Sequence, residues 1–232
     1  MNFDFLSSFL DLFSSKRLLF DYVIWDVDGT LYDDHAPDRL GERNLFSYSK
    51  RLGEFDADSL QFWKLYPELI SLMKKIPKNR QGIITNGYPQ VQNDKLTILG
   101  VHDLVNPDLI FSSYGVAQDI LMADDHPMQV FAMRNGEYGI DNIVLETQKP
   151  KGYMFSLLKE KIGDASVVYI GNRWYDVAAA NRAAVPCIYM ADHCALFERE
   201  DPVFDGRLKT YAQIHKGDIP ALENLLFKKS HL

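Results

Sequence analysis

Five short, near-continuous apolar runs constrain the fold of this chain more than any other feature. They are Leu18 to Trp25, Gly82-Ile83-Ile84-Thr85, Leu109-Ile110-Phe111-Ser112, Val167-Val168-Tyr169-Ile170 and Cys187-Ile188-Tyr189-Met190. Because apolar residues do not alternate with polar ones, each run reads as a strand buried on both faces, the habit of central strands in a parallel sheet. Helical segments separate them, at about 67–76, 89–99, 151–162 with Gly163 as a stop, and 176–184. Strand and helix alternating at this spacing predict an α/β, doubly wound parallel sheet whose functional groups gather at the carboxyl ends of the strands.

Two stretches break the alternation. Residues 33–65, charged and then aromatic through Phe62, Trp63 and, just beyond, Tyr66, follow the first strand where a crossover helix belongs, and predict a short helical cap. The aromatic cluster reads as core before it reads as a substrate-facing surface. Residues 117–148 form a second insertion, where Gln129 to Met133 and Tyr138 to Leu145 flank Asn135-Gly136, a dipeptide suited to a tight turn; a β-hairpin insertion is expected there. Ahead of the first strand, Asp4, Ser8, Asp11 and Ser15 share one face of a helical wheel otherwise filled by Phe and Leu. That anionic amphipathic helix, within 1–17, is expected to dock on the parent domain or on a twin subunit rather than on a membrane surface. The α/β core then spans 18–32 and 66–232.

Composition narrows the partners. At 232 residues the chain amounts to about one and a half domains of ~150 residues. With 47% hydrophobic and 25% charged residues it can bury a full core, which excludes wholesale disorder. A net charge of −7 opposes nonspecific attraction to nucleic acid or anionic membrane. Cys187 and Cys194 are too few for a disulfide framework, and no apolar run nears the ~18 residues that span a bilayer. A cytoplasmic, untargeted chain is the expectation.

The chemistry begins with Asp26 and Asp28, two residues apart at a strand end and followed by Gly29-Thr30. Carboxylates this close repel unless a cation or proton lies between them, so the pair invites Mg²⁺. Asp26-Val27-Asp28-Gly29-Thr30-Leu31 resembles the first motif of the haloacid dehalogenase superfamily. Thr85-Asn86-Gly87 resembles the second, Lys149-Pro150 the third, and Gly171-Asn172-Arg173-Trp174-Tyr175-Asp176 the fourth, in the family's order. The likeness covers most of residues 18–190 and extends to a terminal strand and helix near 207–228. It is greatest to the phosphoglycolate-phosphatase-like group, with a helical cap after motif one.

The resemblance implies a Mg²⁺-dependent phosphatase that hydrolyses a small phosphomonoester through an aspartyl phosphate. Asp26 is then the nucleophile, and Asp28 protonates the leaving group and activates water. Thr85, Asn86 and Lys149 bind the phosphate, and Asp26, Asp28, Asn172 and Asp176 surround the metal. One departure stands out. The fourth motif usually opens Gly-Asp, whereas Asn172 brings an oxygen but no charge, which weakens the metal site. The alternative is therefore a catalytically weakened relative that binds a phosphate ligand or a partner. A halide-releasing hydrolase is disfavoured by Asp28, since dehalogenation needs no leaving-group acid. The expected partner is a small phosphorylated metabolite, with self-association through the N-terminal helix or the insertion.

Overall fold

The structure, a computed structural model, describes residues 17–32, 66–134, 136–191 and 207–228. The expected N-terminal helix, the 33–65 cap with Phe62 and Trp63, and Cys194 lie outside the described residues. In chain order the strands are β1 (Arg17–Leu18), β2 (Tyr22–Trp25), β3 (Gln81–Thr85), β4 (Ile110–Ser112), β5 (Met133–Arg134), β6 (Glu137–Tyr138), β7 (Val167–Gly171), β8 (Cys187–Ala191), β9 (Ala212–His215) and β10 (Phe227–Lys228). The α-helices are α1 (Pro67–Lys74), α2 (Pro89–Ile98), α3 (Ser113–Met122), α4 (Ile140–Thr147), α5 (Tyr153–Ile162), α6 (Trp174–Arg182) and α7 (Ile219–Leu226).

Six strands form one sheet in the order β4-β3-β2-β7-β8-β9, and every pairing in it is parallel. The chain starts at the centre with β2, steps outward to β4, then returns to lay β7 against the other side of β2. This reversal makes a topological switch point at the carboxyl ends of β2, β3 and β7, where α/β sheets hold ligands. Both faces are buried along β2, β3, β7 and β8, which is why these strands read as continuous apolar runs, whereas the edge strand β9 alternates partly buried and exposed residues. Val23, Trp25, Ile83, Ile170 and Met190 meet α1 and α7 on one face. Ile24, Ile84, Tyr169, Cys187 and Tyr189 meet α3, α5 and α6 on the other. Tyr66, expected in the core rather than on a substrate surface, packs partly buried against the first of these clusters. No helix among the described residues is long and apolar enough to cross a membrane.

The insertion departs from expectation. A hairpin is present, but β5 and β6 are two residues each, and helices α3 and α4 with a 3₁₀ segment over Pro127–Ala132 occupy most of 113–147. The reason is local. Ile140, Ile143, Val144 and Thr147 fall at helical spacing and bury one side of α4. Gln129, expected in a strand, turns its amide back onto the carbonyls of Ile120, Leu121 and Ala123 at the end of α3. Those carbonyls would otherwise lack partners at a helix terminus.

Candidate active site

The loop after β2 carries the first acidic pair. Asp26 N–H donates to Ile170 O at 2.8 Å, extending the ladder to β7, and Gly29 adopts φ 80° in the turn that follows. A left-handed turn there suits glycine. It brings Thr30 back over Asp26, so that its hydroxyl lies 3.2 Å from Asp26 Oδ2 and 3.3 Å from Asn172 Oδ1.

Lys149 occupies the loop between α4 and α5, not the first turn of the helix that follows it. Its backbone N–H donates to Asn86 Oδ1 at 2.9 Å, so the second motif anchors the third. The ammonium donates to Asp26 Oδ1 and Asp176 Oδ1, both at 2.6 Å, and to Tyr169 OH at 3.0 Å. All four side chains are buried. A buried ammonium is tolerable only with opposite charges in contact, and two are supplied here.

Asp176 lies in the first turn of α6 and folds back, its Oδ2 accepting from the N–H groups of Asn172 (3.2 Å) and Arg173 (2.8 Å). That return needs Gly171, where an added Cβ would lie 2.6 Å from Asp176 Cβ. Asp176 was expected to hold metal, yet both its oxygens are engaged, Oδ1 by Lys149 and Tyr169 and Oδ2 by backbone. Its geometry is that of a helix cap which also fixes Lys149.

Asp28 turns toward α2, where Lys95 Nζ approaches Oδ1 at 2.5 Å, Tyr32 OH also donates to Oδ1, and Gln92 Nε2 lies 3.4 Å from Oδ2. Thr85 is fully buried and its hydroxyl donates to Asn86 O at 3.3 Å. The structure thus brings Asp26, Lys149, Asn172 and Asp176 into one hydrogen-bonded cluster, with Asp28 and Thr85 beside it. Thr30, Tyr169, Gln92 and Lys95 were not singled out from sequence. A signal existed for Lys95 and Gln92, which share the buried stripe of α2 with Val91 and Leu96.

Electrostatics follow from the burial. Desolvation, reinforced by the Asp176 charge and opposed by Lys149, pushes the Asp26 carboxyl up to about 7. Burial works against the charge of Lys149, but Asp176 and Asp26 outweigh it and raise the pKa of the amine. Burial and the Asp176 charge raise the Tyr169 phenol and the Cys187 thiol. Cys187 is therefore an inert packing residue.

Asp26 Oδ2 and Asn172 Oδ1 converge on the Thr30 hydroxyl, so one carboxylate and one amide oxygen face a common point. Hard oxygen donors of this kind suit Mg²⁺, which commonly takes one or two carboxylates and completes its octahedron with water and substrate phosphate. The donor set is low in charge. No group of three or more His, Cys, Asp or Glu able to hold a metal occurs among the described residues.

The six-stranded parallel sheet is that of an α/β protein, and comparison with solved structures shows the haloacid dehalogenase-like fold. The putative HAD-hydrolase YfnB from Bacillus subtilis, bound to magnesium, superposes with TM-score 0.53 at 15% identity, over 88% of this chain and 99% of its own. A putative phosphoglycolate phosphatase from Lactobacillus plantarum gives TM-score 0.50 at 17% identity, over 88% and 98%. The L-2-haloacid dehalogenase from Xanthobacter autotrophicus, with chloropropionic acid covalently bound, gives 0.51 at 15%, over 88% and 98%. No protein-family model and no curated protein sequence matches the chain. The fold is that of the haloacid dehalogenase-like hydrolases; because it hosts both phosphatases and dehalogenases, the fold alone does not fix the reaction.

Proposed function

We propose that this chain is a phosphomonoesterase acting on a small phosphorylated metabolite, with Asp26 as the nucleophile and Mg²⁺ as the cofactor. The observation that carries the reading is the Lys149 ammonium at 2.6 Å from Asp26 Oδ1 at a strand end, with a second carboxylate, Asp28, two residues on. A carboxylate held by one fixed cation keeps its direction for in-line attack. Asp28 protonates the leaving oxygen as its bond to phosphorus breaks, then takes a proton from the water that cleaves the aspartyl phosphate. Dehalogenation has no use for such an acid, which favours the phosphatase over the halide-releasing member of the fold.

The remaining residues hold this geometry. Lys149 offsets the charge that Asp26 and a phosphate bring together. Thr85 and Asn86 form the loop at the end of β3 that meets the phosphate, and Asn86 also fixes the Lys149 backbone. Asp176 and Tyr169 position Lys149 from beneath. Asp26 and Asn172 would supply side-chain oxygens for the ion, and the Asp28 carbonyl a backbone ligand. Magnesium, when bound, neutralises phosphoryl oxygens in the transition state. That the similar YfnB structure is bound to magnesium supports the choice of ion.

The test is hydrolysis of p-nitrophenyl phosphate with Mg²⁺ or with EDTA. Metal-dependent turnover that falls by at least ~10³-fold in Asp26→Asn is expected, the scale of lost covalent catalysis. Folded protein with no turnover under either condition would favour the phosphate-binding or partner-binding alternative, to which the neutral Asn172 points.

A further inference from the structure

The residues around Asp28 form a cluster that the reaction outlined above does not use. The Lys95 side chain has no exposure, whereas that of Asp28 keeps 16%. Asp26 keeps only 4% and Asp176 none. Of the three carboxylates, Asp28 is thus the most exposed. Lys95 is a poor choice for a core helix position, because an ammonium without solvent must be paired to be tolerated. It projects from the face of α2 that buries Val91 and Leu96, and ends 2.5 Å from Asp28 Oδ1.

Gln92, one turn earlier, makes the same point independently. Its side chain is fully buried, and Nε2 donates to Asn86 O at 2.9 Å while lying 3.4 Å from Asp28 Oδ2. Both neighbours of Nε2 are acceptors, which fixes the amide orientation. The other end, Oε1, is buried with no partner. An unpartnered buried acceptor destabilises the fold, so an apolar side chain would serve packing better. Amide and ammonium both converge on the carboxylate.

We propose that Lys95 and Gln92 are positioning residues for Asp28, fixing the plane of its carboxylate so that Oδ1 is bound to the ammonium and Oδ2 faces the departing oxygen. A cation on Oδ1 makes the two oxygens inequivalent, and the transferable proton resides on Oδ2. As the bond between phosphorus and the ester oxygen breaks, that proton passes to the ester oxygen. In the second half, water attacks phosphorus, the bond to Asp26 breaks and the water proton returns to Oδ2. This inference rests on the phosphatase reading and adds to it the residues that aim its acid.

The experiment uses the full chain with Mg²⁺ and a series of substituted phenyl phosphates, from dinitrophenyl to unsubstituted phenyl. Dinitrophenolate departs without protonation, whereas phenolate gains from an acid. General acid catalysis contributes ~10²-fold or more, so Lys95→Met should lose kcat/KM on phenyl phosphate by about that factor and only a few-fold on the dinitrophenyl ester. Lys95→Arg should recover most of the phenyl phosphate rate. Should Lys95→Met fail to fold, Gln92→Met keeps the ion pair and is read on the same series, with a loss of roughly tenfold on phenyl phosphate and little on the dinitrophenyl ester. Equal fractional losses across the series, or no loss, overturn the positioning role. A wild-type chain inactive on even the dinitrophenyl ester instead removes the phosphatase reading itself.

Discussion

Asn172 stands where the resemblance to the haloacid dehalogenase motifs implies a carboxylate, and its amide oxygen shares the Thr30 hydroxyl with Asp26 Oδ2. Asn172→Asp adds a negative charge at that point and strengthens attraction for a divalent ion. The Mg²⁺ concentration for half-maximal activity should fall, and without metal the variant should melt earlier but gain more from added Mg²⁺. A Mg²⁺ titration of thermal midpoint on both proteins checks this without relying on turnover. Asp26 offers a second test, in the metal-free chain. Its pKa rises from 3.8 unfolded to about 7 folded, so over that interval the folded chain keeps a proton that the unfolded chain has released. Its contribution is full below pH 3.8 and is lost as pH rises through 7. Asp26→Asn removes that loss, and relative to wild type it should gain stability from pH 5 to pH 8, by ~3 kcal/mol at most. Urea midpoints at the two pH values measure it; a difference from wild type that is the same at both would mean that Asp26 is ionised throughout. These acidic residues were legible because they cluster in short motifs. Thr30 was not assigned a role, since its partner Asn172 is 142 positions away and only the fold brings them together.

The loop joining β7 to α6 depends on what Gly171 lacks. A Cβ there meets the Asp176 side chain at 2.6–2.8 Å, below any ordinary contact, and Asp176 is confined on its other side by Lys149 and Tyr169. Gly171→Ala must therefore push the carboxylate off the N–H groups of Asn172 and Arg173 or shift the start of α6. Overpacking of this kind costs roughly 1–3 kcal/mol, at about 2–4 °C of melting temperature per kcal/mol for a chain this size. Lys149 loses its orientation in the same event, so turnover should fall by more than the folded fraction does, measured as specific activity well below the transition. Equal declines would make Asp176 a cap and nothing more. The sequence displayed this element well, because a glycine, a strand end and an acid in the first helical turn are all local signals. It displayed 117–148 poorly. Asn135-Gly136 marks a turn, but turn residues do not state how long the flanking strands are. The helical spacing of Ile140, Ile143 and Val144 was the stronger signal over that segment.

Over the whole molecule, the parallel sheet was readable because burial on both faces removes polar alternation from its strands. The strand order was not, since runs of similar composition pair equally well until helices are assigned to faces. The face opposite α3, α5 and α6 is closed by chain from distant positions: α1 packs beside α7, and β10 pairs with β1 across the full length of the sequence. Two forces hold α7 there. Ile219, Leu222 and Leu226 are buried in the core cluster, while Glu223 forms an ion pair with Lys75 at 2.9 Å whose lysine side is 51% exposed. An exposed pair contributes ~0–1 kcal/mol, whereas emptying a core leucine site costs ~2–5 kcal/mol, a large share of the 5–15 kcal/mol typical of a domain. The adjacent substitutions Leu222→Ala and Glu223→Ala separate the two forces. The first should lower the urea midpoint markedly and the second barely. If Glu223→Ala proved as damaging as Leu222→Ala, the closure of this face would rest on charge rather than on the burial that made the strands legible.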